Sequence, residues 1–186
     1  MIVRKYDDID WHTGGDFPAD LNASHARTHI ALFLEWAIRR GHESDTLRSL
    51  HPDALHSIRQ GKLSGKDLLA QCCDDKLTSD DLSETGNGFA QAYYEASYLE
   101  DYVDLSDDDL PTLYHEPYDQ KKARDICEKL DARFHQWSKQ LDHELRFAGR
   151  GGAHPRPALM STWNSATVPR ESRVTRPARL RLTSSK

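Results

Sequence analysis

Long apolar runs are missing from this sequence: nothing approaches the roughly 18 to 20 consecutive apolar residues needed to cross a bilayer, which excludes a membrane-spanning helix. The start, Met1 to Asp8, has no apolar stretch of the signal-peptide kind, so a cytoplasmic location is expected. Cysteine is scarce. Cys72, Cys73 and Cys127 form an odd set with one adjacent pair, which argues against a disulfide framework and for reduced thiols. Phosphate-cradling loops are absent too, because Gly14-Gly15 and Gly86-Asn87-Gly88 match neither a P-loop nor a dinucleotide fingerprint. No Gly-x-Ser-x-Gly, His-Glu-x-x-His or EF-hand pattern occurs, and none of the cysteines has a recognisable activating environment. A complete catalytic set is therefore not visible, and no cofactor is expected.

What is present is charge, unevenly placed. Of 186 residues, 37% are hydrophobic and 30% charged, too polar a balance for the whole chain to pack. Residues 1–149 hold 17 Lys/Arg against 29 Asp/Glu, whereas 150–186 hold 8 against 1. The first part reads as an acidic helical domain, 1–149, and the second as a basic, disordered tail, 150–186. The tail's Arg170, Arg173, Arg176, Arg179 and Arg181 could attract nucleic acid, but the acidic body opposes it, so no nucleic-acid partner is expected.

The expected fold class is mainly α: a compact helical bundle with an extended N-terminal lead-in and the disordered C-terminal tail. The lead-in, Tyr6 to Leu21, mixes helix breakers with the apolar anchors Trp11 and Phe17 and has room for a short strand. Ile30, Phe33, Leu34, Ala37 and Ile38 then form one apolar stripe that Gly41 terminates, with Asn22 or Ser24 as the cap. Pro52 to Gln60 before Gly61 predicts a second helix, and Ser64 caps a third that carries Leu68, Leu69 and Cys72. Phe89 to Val103 fits a helix or two half-helices, followed by a loop over 106–111. The longest periodic segment, from about Asp119 to Phe147, repeats Ala123, Ile126, Leu130, Phe134, Trp137, Leu141 and Leu145.

Two groups of residues could carry chemistry. His25 and His29 are four apart, a spacing that can bring two imidazoles onto one ion, with Asp16, Asp20 or Glu35 to complete a set. Asp7, Asp8, Asp10, His12 and Asp16 could supply acid/base groups or oxygen ligands, or could be solvated residues around Trp11 and Phe17. The band from Asp74 to Asp119 is more unusual, with 14 acidic residues, one basic residue (Lys76) and six of the seven tyrosines. Tyrosine gives large contact area at small entropy cost, and an acidic field speeds encounter with a basic partner.

Four stretches together resemble a family of small uncharacterised bacterial domains: Tyr6-Asp7-Asp8 with Trp11-His12; Gly14 to Pro18; Thr28-His29-Ile30 leading to Glu35-Trp36; and Asn87 to Ala90 with Tyr93-Tyr94 and Asp101-Tyr102. The resemblance covers roughly 3–145 and implies an accessory or immunity-type protein, with Asp16, Thr28, His29 and Trp36 as the positions to watch. The leading expectation is a non-enzymatic binding protein of the immunity or antitoxin kind. Its acidic surface, formed by Tyr98, Asp101, Tyr102, Asp104, Asp107, Asp108, Asp109 and Tyr114, would occlude a basic site on a bacterial toxin or effector. The alternative is a metal-dependent hydrolase built on His12, Asp16, His25 and His29.

Overall fold

The structure, a computed structural model, describes residues 2–148; the basic tail over 150–186 lies outside the described residues. Its centre is helix α1, Arg27–Arg39, in which every residue from Thr28 to Ile38 is buried. The expected single stripe is therefore too narrow: a helix packed on all sides belongs to the middle of a core, and this one touches α3 (Pro52–Arg59), α4 (Gly65–Cys72) and α7 (Gln120–Ala148). Thr28, His29 and Glu35 are drawn inside with their apolar neighbours. Asn22 does act as a cap, but of the short 3-10 turn Ala23–Ala26 that leads into α1. Gly41 and Gly61 follow their helices at φ +76° and +69°, the left-handed region in which a Cβ is strained.

Two elements had no readable pattern. Helix α2, Asp45–Leu50, is six residues long and rests on the cap Ser44. Strand β2, Lys76–Thr78, is too short to alternate. It pairs antiparallel with β1, Lys5–Asp8, and the register slips between Lys5 and Asp7. Such irregularity bends a strand and re-aims its side chains. Here Tyr6, Asp7 and Asp8 are all buried: β2 packs against α1, and β1 against the helical segment that includes Ala90–Tyr98.

That segment is one continuous rod of α5 (Glu84–Phe89), a π-helical stretch (Ala90–Tyr98) and α6 (Leu99–Asp104). A π-helix is wider than an α-helix, is rare, and occurs frequently at functional sites. Its turn brings Tyr94 and Tyr98 into a stack, with ring centroids 4.9 Å apart, against Phe33 of α1. Helix α7 closes the core with Ile126 and Leu130, and Asp131 accepts the Trp36 indole N–H at 2.8 Å. Its last described turns run outward, leaving Leu145 63% exposed. Trp11 corrects a further expectation: it is 49% exposed, and Ile9 is the buried residue of the turn Ile9–Trp11. Cys72, Cys73 and Cys127 are free thiols.

Candidate metal centre

Three side chains from separate elements converge beneath the lead-in. Asp7 comes from the slipped strand β1, His12 follows the 3-10 turn that Asp8 caps through the Asp10 N–H, and His29 lies in the first turn of α1. One nitrogen or oxygen from each lies within 4.8 Å of the others. Asp7 Oδ1 is 2.7 Å from His12 Nε2, and Asp7 Oδ2 is 3.3 Å from His29 Nε2. The second approach is close but out of line for a hydrogen bond, so neither ring nitrogen of His29 has one. The side chain of His29 is 2% exposed and that of His12 17%, so the cluster is dry at its base and opens toward solvent at His12.

Asp7 is otherwise fully held. It accepts the Asp8 N–H at Oδ1 and the Tyr94 O–H at Oδ2, both at 2.8 Å. Burial by itself would raise its carboxyl, but the contacts with His12 and His29 outweigh burial and keep it far below the usual carboxylate range. For His29 burial dominates in the other direction. It lowers the imidazole, the Asp7 carboxylate offsets only part of this, and the neighbouring His12 adds to the depression. The site is thus an ionised carboxylate beside a buried imidazole that burial favours in its neutral form and whose nearest polar neighbour is Asp7, at 3.3 Å. Tyr98 fixes the backbone there by donating to the His29 carbonyl at 2.6 Å, and the π-helical stretch therefore supplies a tyrosine to two of the three members.

This arrangement has a consequence for stability. Unfolded histidine titrates near pH 6.5, and the fold holds His29 lower, so it favours the neutral form. The associated stabilisation is complete above the unfolded value and is lost as pH falls below it. The melting temperature should fall between pH 7.5 and 5 by circular dichroism, and the fall should be shallower in His29→Leu. Parallel pH profiles for the two proteins would show that His29 does not titrate as described.

The other expected ligands are elsewhere. Asp16 is exposed. His25 Nδ1 meets the Tyr114 carbonyl at 3.1 Å, outside the cluster, and Asp20 pairs with His115 at 3.3 Å. Glu35 is engaged by Arg39 and by the Tyr118 hydroxyl. Those two groups border a groove of about 620 Å³ between the start of α4 and the start of α7, whose one buried carboxylate is thereby satisfied. Thr28 is buried with its hydroxyl unpaired, and Trp36 is a core residue.

The docking surface is reduced by half. Tyr98, Asp101, Tyr102 and Tyr114 are buried. Tyr98 and Tyr102 belong to the aromatic core, and Asp101 is locked by Arg133 at 2.7 Å and by the Tyr93 hydroxyl at 2.8 Å. Tyr114 turns inward to the cluster, its hydroxyl 3.1 Å from His12 Nδ1. Asp104, Asp107, Asp108 and Asp109 remain exposed. Tyr98, Tyr102 and Tyr114 lie in the band whose acidity suggested a surface, and Tyr94, from the same band, is a partner of Asp7 that no expectation named.

A profile described as a domain of unknown function (DUF7832) matches residues 5–116, a span that contains Asp7, His12, His29, Tyr94 and Tyr114 and ends before α7. No curated protein and no solved structure matches the chain.

Proposed function

We propose that the chain, which belongs to the DUF7832 family, is a metal-dependent hydrolase whose divalent ion is held by Asp7, His12 and His29. The observation that carries this reading is His29, enclosed to 2% exposure, with neither ring nitrogen in a hydrogen bond and Nε2 3.3 Å from the Asp7 carboxylate. Leaving a buried polar group without a partner costs about 1–3 kcal/mol. A fold that keeps one at the contact of three elements has a use for the lone pair.

The donor set narrows the ion. Two imidazoles and one carboxylate suit zinc and the other late first-row divalent metals, whereas calcium and magnesium take oxygen ligands. Metal–ligand distances of about 2.0–2.2 Å place neighbouring donors about 3–3.5 Å apart, and the two Asp7–histidine separations of 2.7 and 3.3 Å need only a small opening to comply. Three protein donors also leave positions for water and substrate, the count of catalytic rather than structural zinc sites. An ion held by these three residues would supply Lewis-acid activation of water for a hydrolysis. The more exposed His12 side marks where substrate would enter.

Purified protein loaded with zinc and passed through a desalting column should retain about one equivalent, and should hydrolyse an activated ester or phosphoester probe in a way that chelation removes and zinc restores. Less than about a tenth of an equivalent would end the reading. A second reading, an immunity-type protein of bacteria that docks on a basic partner, keeps Asp104, Asp107, Asp108 and Asp109, which are exposed around the loop over 106–111. It requires no bound ion, so the same metal analysis separates the two.

A further inference from the structure

His12 is held at both ring nitrogens, Nε2 at 2.7 Å from Asp7 Oδ1 and Nδ1 at 3.1 Å from Tyr114 Oη. A neutral imidazole carries one N–H, and an ionised carboxylate can only accept. With no ion bound, the one hydrogen of the neutral ring therefore belongs on Nε2, and in that form the Tyr114 O–H donates to Nδ1. An ion taken through Nε2 requires the lone pair there, so the hydrogen must then be on Nδ1 and needs an acceptor. A phenol oxygen can accept as well as donate.

We infer that Tyr114 is the positioning residue that lets His12 exchange one tautomer for the other, and so presents the nitrogen facing Asp7 to an incoming ion; this rests on the metal reading above. The exchange balances. The ring gives the Nε2 hydrogen to solvent and takes one from solvent at Nδ1, so its charge is unchanged, and Tyr114 rotates its O–H away without giving up its proton. Burial, with the nearby Asp7 charge added, pushes the Tyr114 hydroxyl up to about 12, so it stays a phenol throughout.

The surroundings hold Tyr114 to this task. It is 3% exposed, its ring lies 5.0 Å from that of Phe17, its carbonyl is 3.1 Å from His25 Nδ1, and Thr112 caps the short turn Leu113–His115 that carries it. His29 has no partner of this kind at Nδ1. One of the two ring donors is therefore steered from behind and the other is not. Partners behind a ligating histidine fix its tautomer and orientation, and their removal weakens metal binding about 10- to 100-fold.

The test uses the full chain labelled with ¹⁵N at histidine, with zinc chloride as the probe. Long-range ¹H–¹⁵N spectra should show His12 as the Nε2–H tautomer without zinc and the Nδ1–H tautomer with it. Tyr114→Phe keeps the ring against Phe17 but removes the hydroxyl, and its zinc affinity should fall about 10- to 100-fold. A zinc-loaded parent in which His12 keeps the Nε2–H form overturns the inference, and so does a folded Tyr114→Phe that binds zinc as the parent does. If the parent takes up no zinc, the metal reading fails and carries this one with it. Uptake with an unchanged His12 tautomer defeats the positioning role alone.

Discussion

His29→Leu will lose zinc entirely and yet melt at or above the temperature of the metal-free parent. The two halves of this result come from one feature. Leucine fills a volume similar to that of the imidazole and has no polar atoms, so the variant removes two buried nitrogens that have no hydrogen-bond partner. Each such group costs about 1–3 kcal/mol, and replacing it with an apolar group of like shape is neutral or favourable. Asp7 keeps the Asp8 N–H, His12 and Tyr94, so its carboxylate is not abandoned. A net gain of about 1 kcal/mol would raise Tm by roughly 2–4 °C in a chain of this size. Metal binding, in contrast, loses one of only three protein donors, and bound zinc should drop from about one equivalent to less than about a tenth. A histidine retained for packing behaves in the opposite way: the variant would be destabilised by about 2 kcal/mol or more, with metal content unchanged. Thermal melts of the chelated proteins, paired with metal analysis after zinc loading, decide between these outcomes. Stability recovered at the expense of function is the signature of a site that the fold maintains at a cost.

The parts of the fold that were legible in sequence are those set by local chemistry. Ser64 accepts the Asp67 N–H as a cap should, Pro52 opens its helix, and the spacing of Ile126, Leu130 and Phe134 gave α7 nearly its observed span. The site depends on something else. Asp7, His12, His29, Tyr94 and Tyr114 are joined by a two-strand ribbon whose second strand has three residues, by a π-helical turn, and by a 3-10 turn. None of these has a period long enough to be read. His12 and His29 were expected as ligands together with Asp16 and His25, while Asp7 stood only among the possible oxygen ligands of the lead-in, because nothing local distinguishes Asp7, buried in β1, from an aspartate in an exposed loop. The tyrosine band failed for a related reason. Tyr94, Tyr98 and Tyr102 recur every fourth residue, which in a helix is also the spacing of a core face, and the surrounding carboxylates hid that alternative. Asp101 shows that such a carboxylate can itself be interior once Arg133 on α7 reaches it.

Gly65 brings the helical core and the site into one argument. It is the first residue of α4, and a Cβ built there would lie 2.4 Å from the Ala31 carbonyl oxygen, 3.0 Å from Glu35 Cβ and 3.1 Å from the Ala31 carbonyl carbon. Two of those atoms are helix backbone, which cannot turn aside as a flexible side chain would. The same glycine donates its N–H to Glu35 Oε2 at 3.0 Å and to the Tyr118 hydroxyl at 2.8 Å, so a displaced α4 leaves that arrangement broken as well. Overpacking of about 1–3 kcal/mol adds to the loss of a buried hydrogen bond at about 1–3 kcal/mol. We expect Gly65→Ala to be destabilised by about 3 kcal/mol, roughly 6–12 °C in Tm. Gly14→Ala, where nothing lies within 4 Å, serves as the control and should stay within about 0.5 kcal/mol of the parent. The strain falls on Ala31, two residues after His29 on the same helix, so a shift of α1 that relieves it also moves His29 away from Asp7. Zinc affinity measured well below the melting transition should therefore decline in Gly65→Ala and not in Gly14→Ala. A Gly65→Ala protein that melts within about 2 °C of the parent would mean that α1 and α4 do not cross as closely as these distances require.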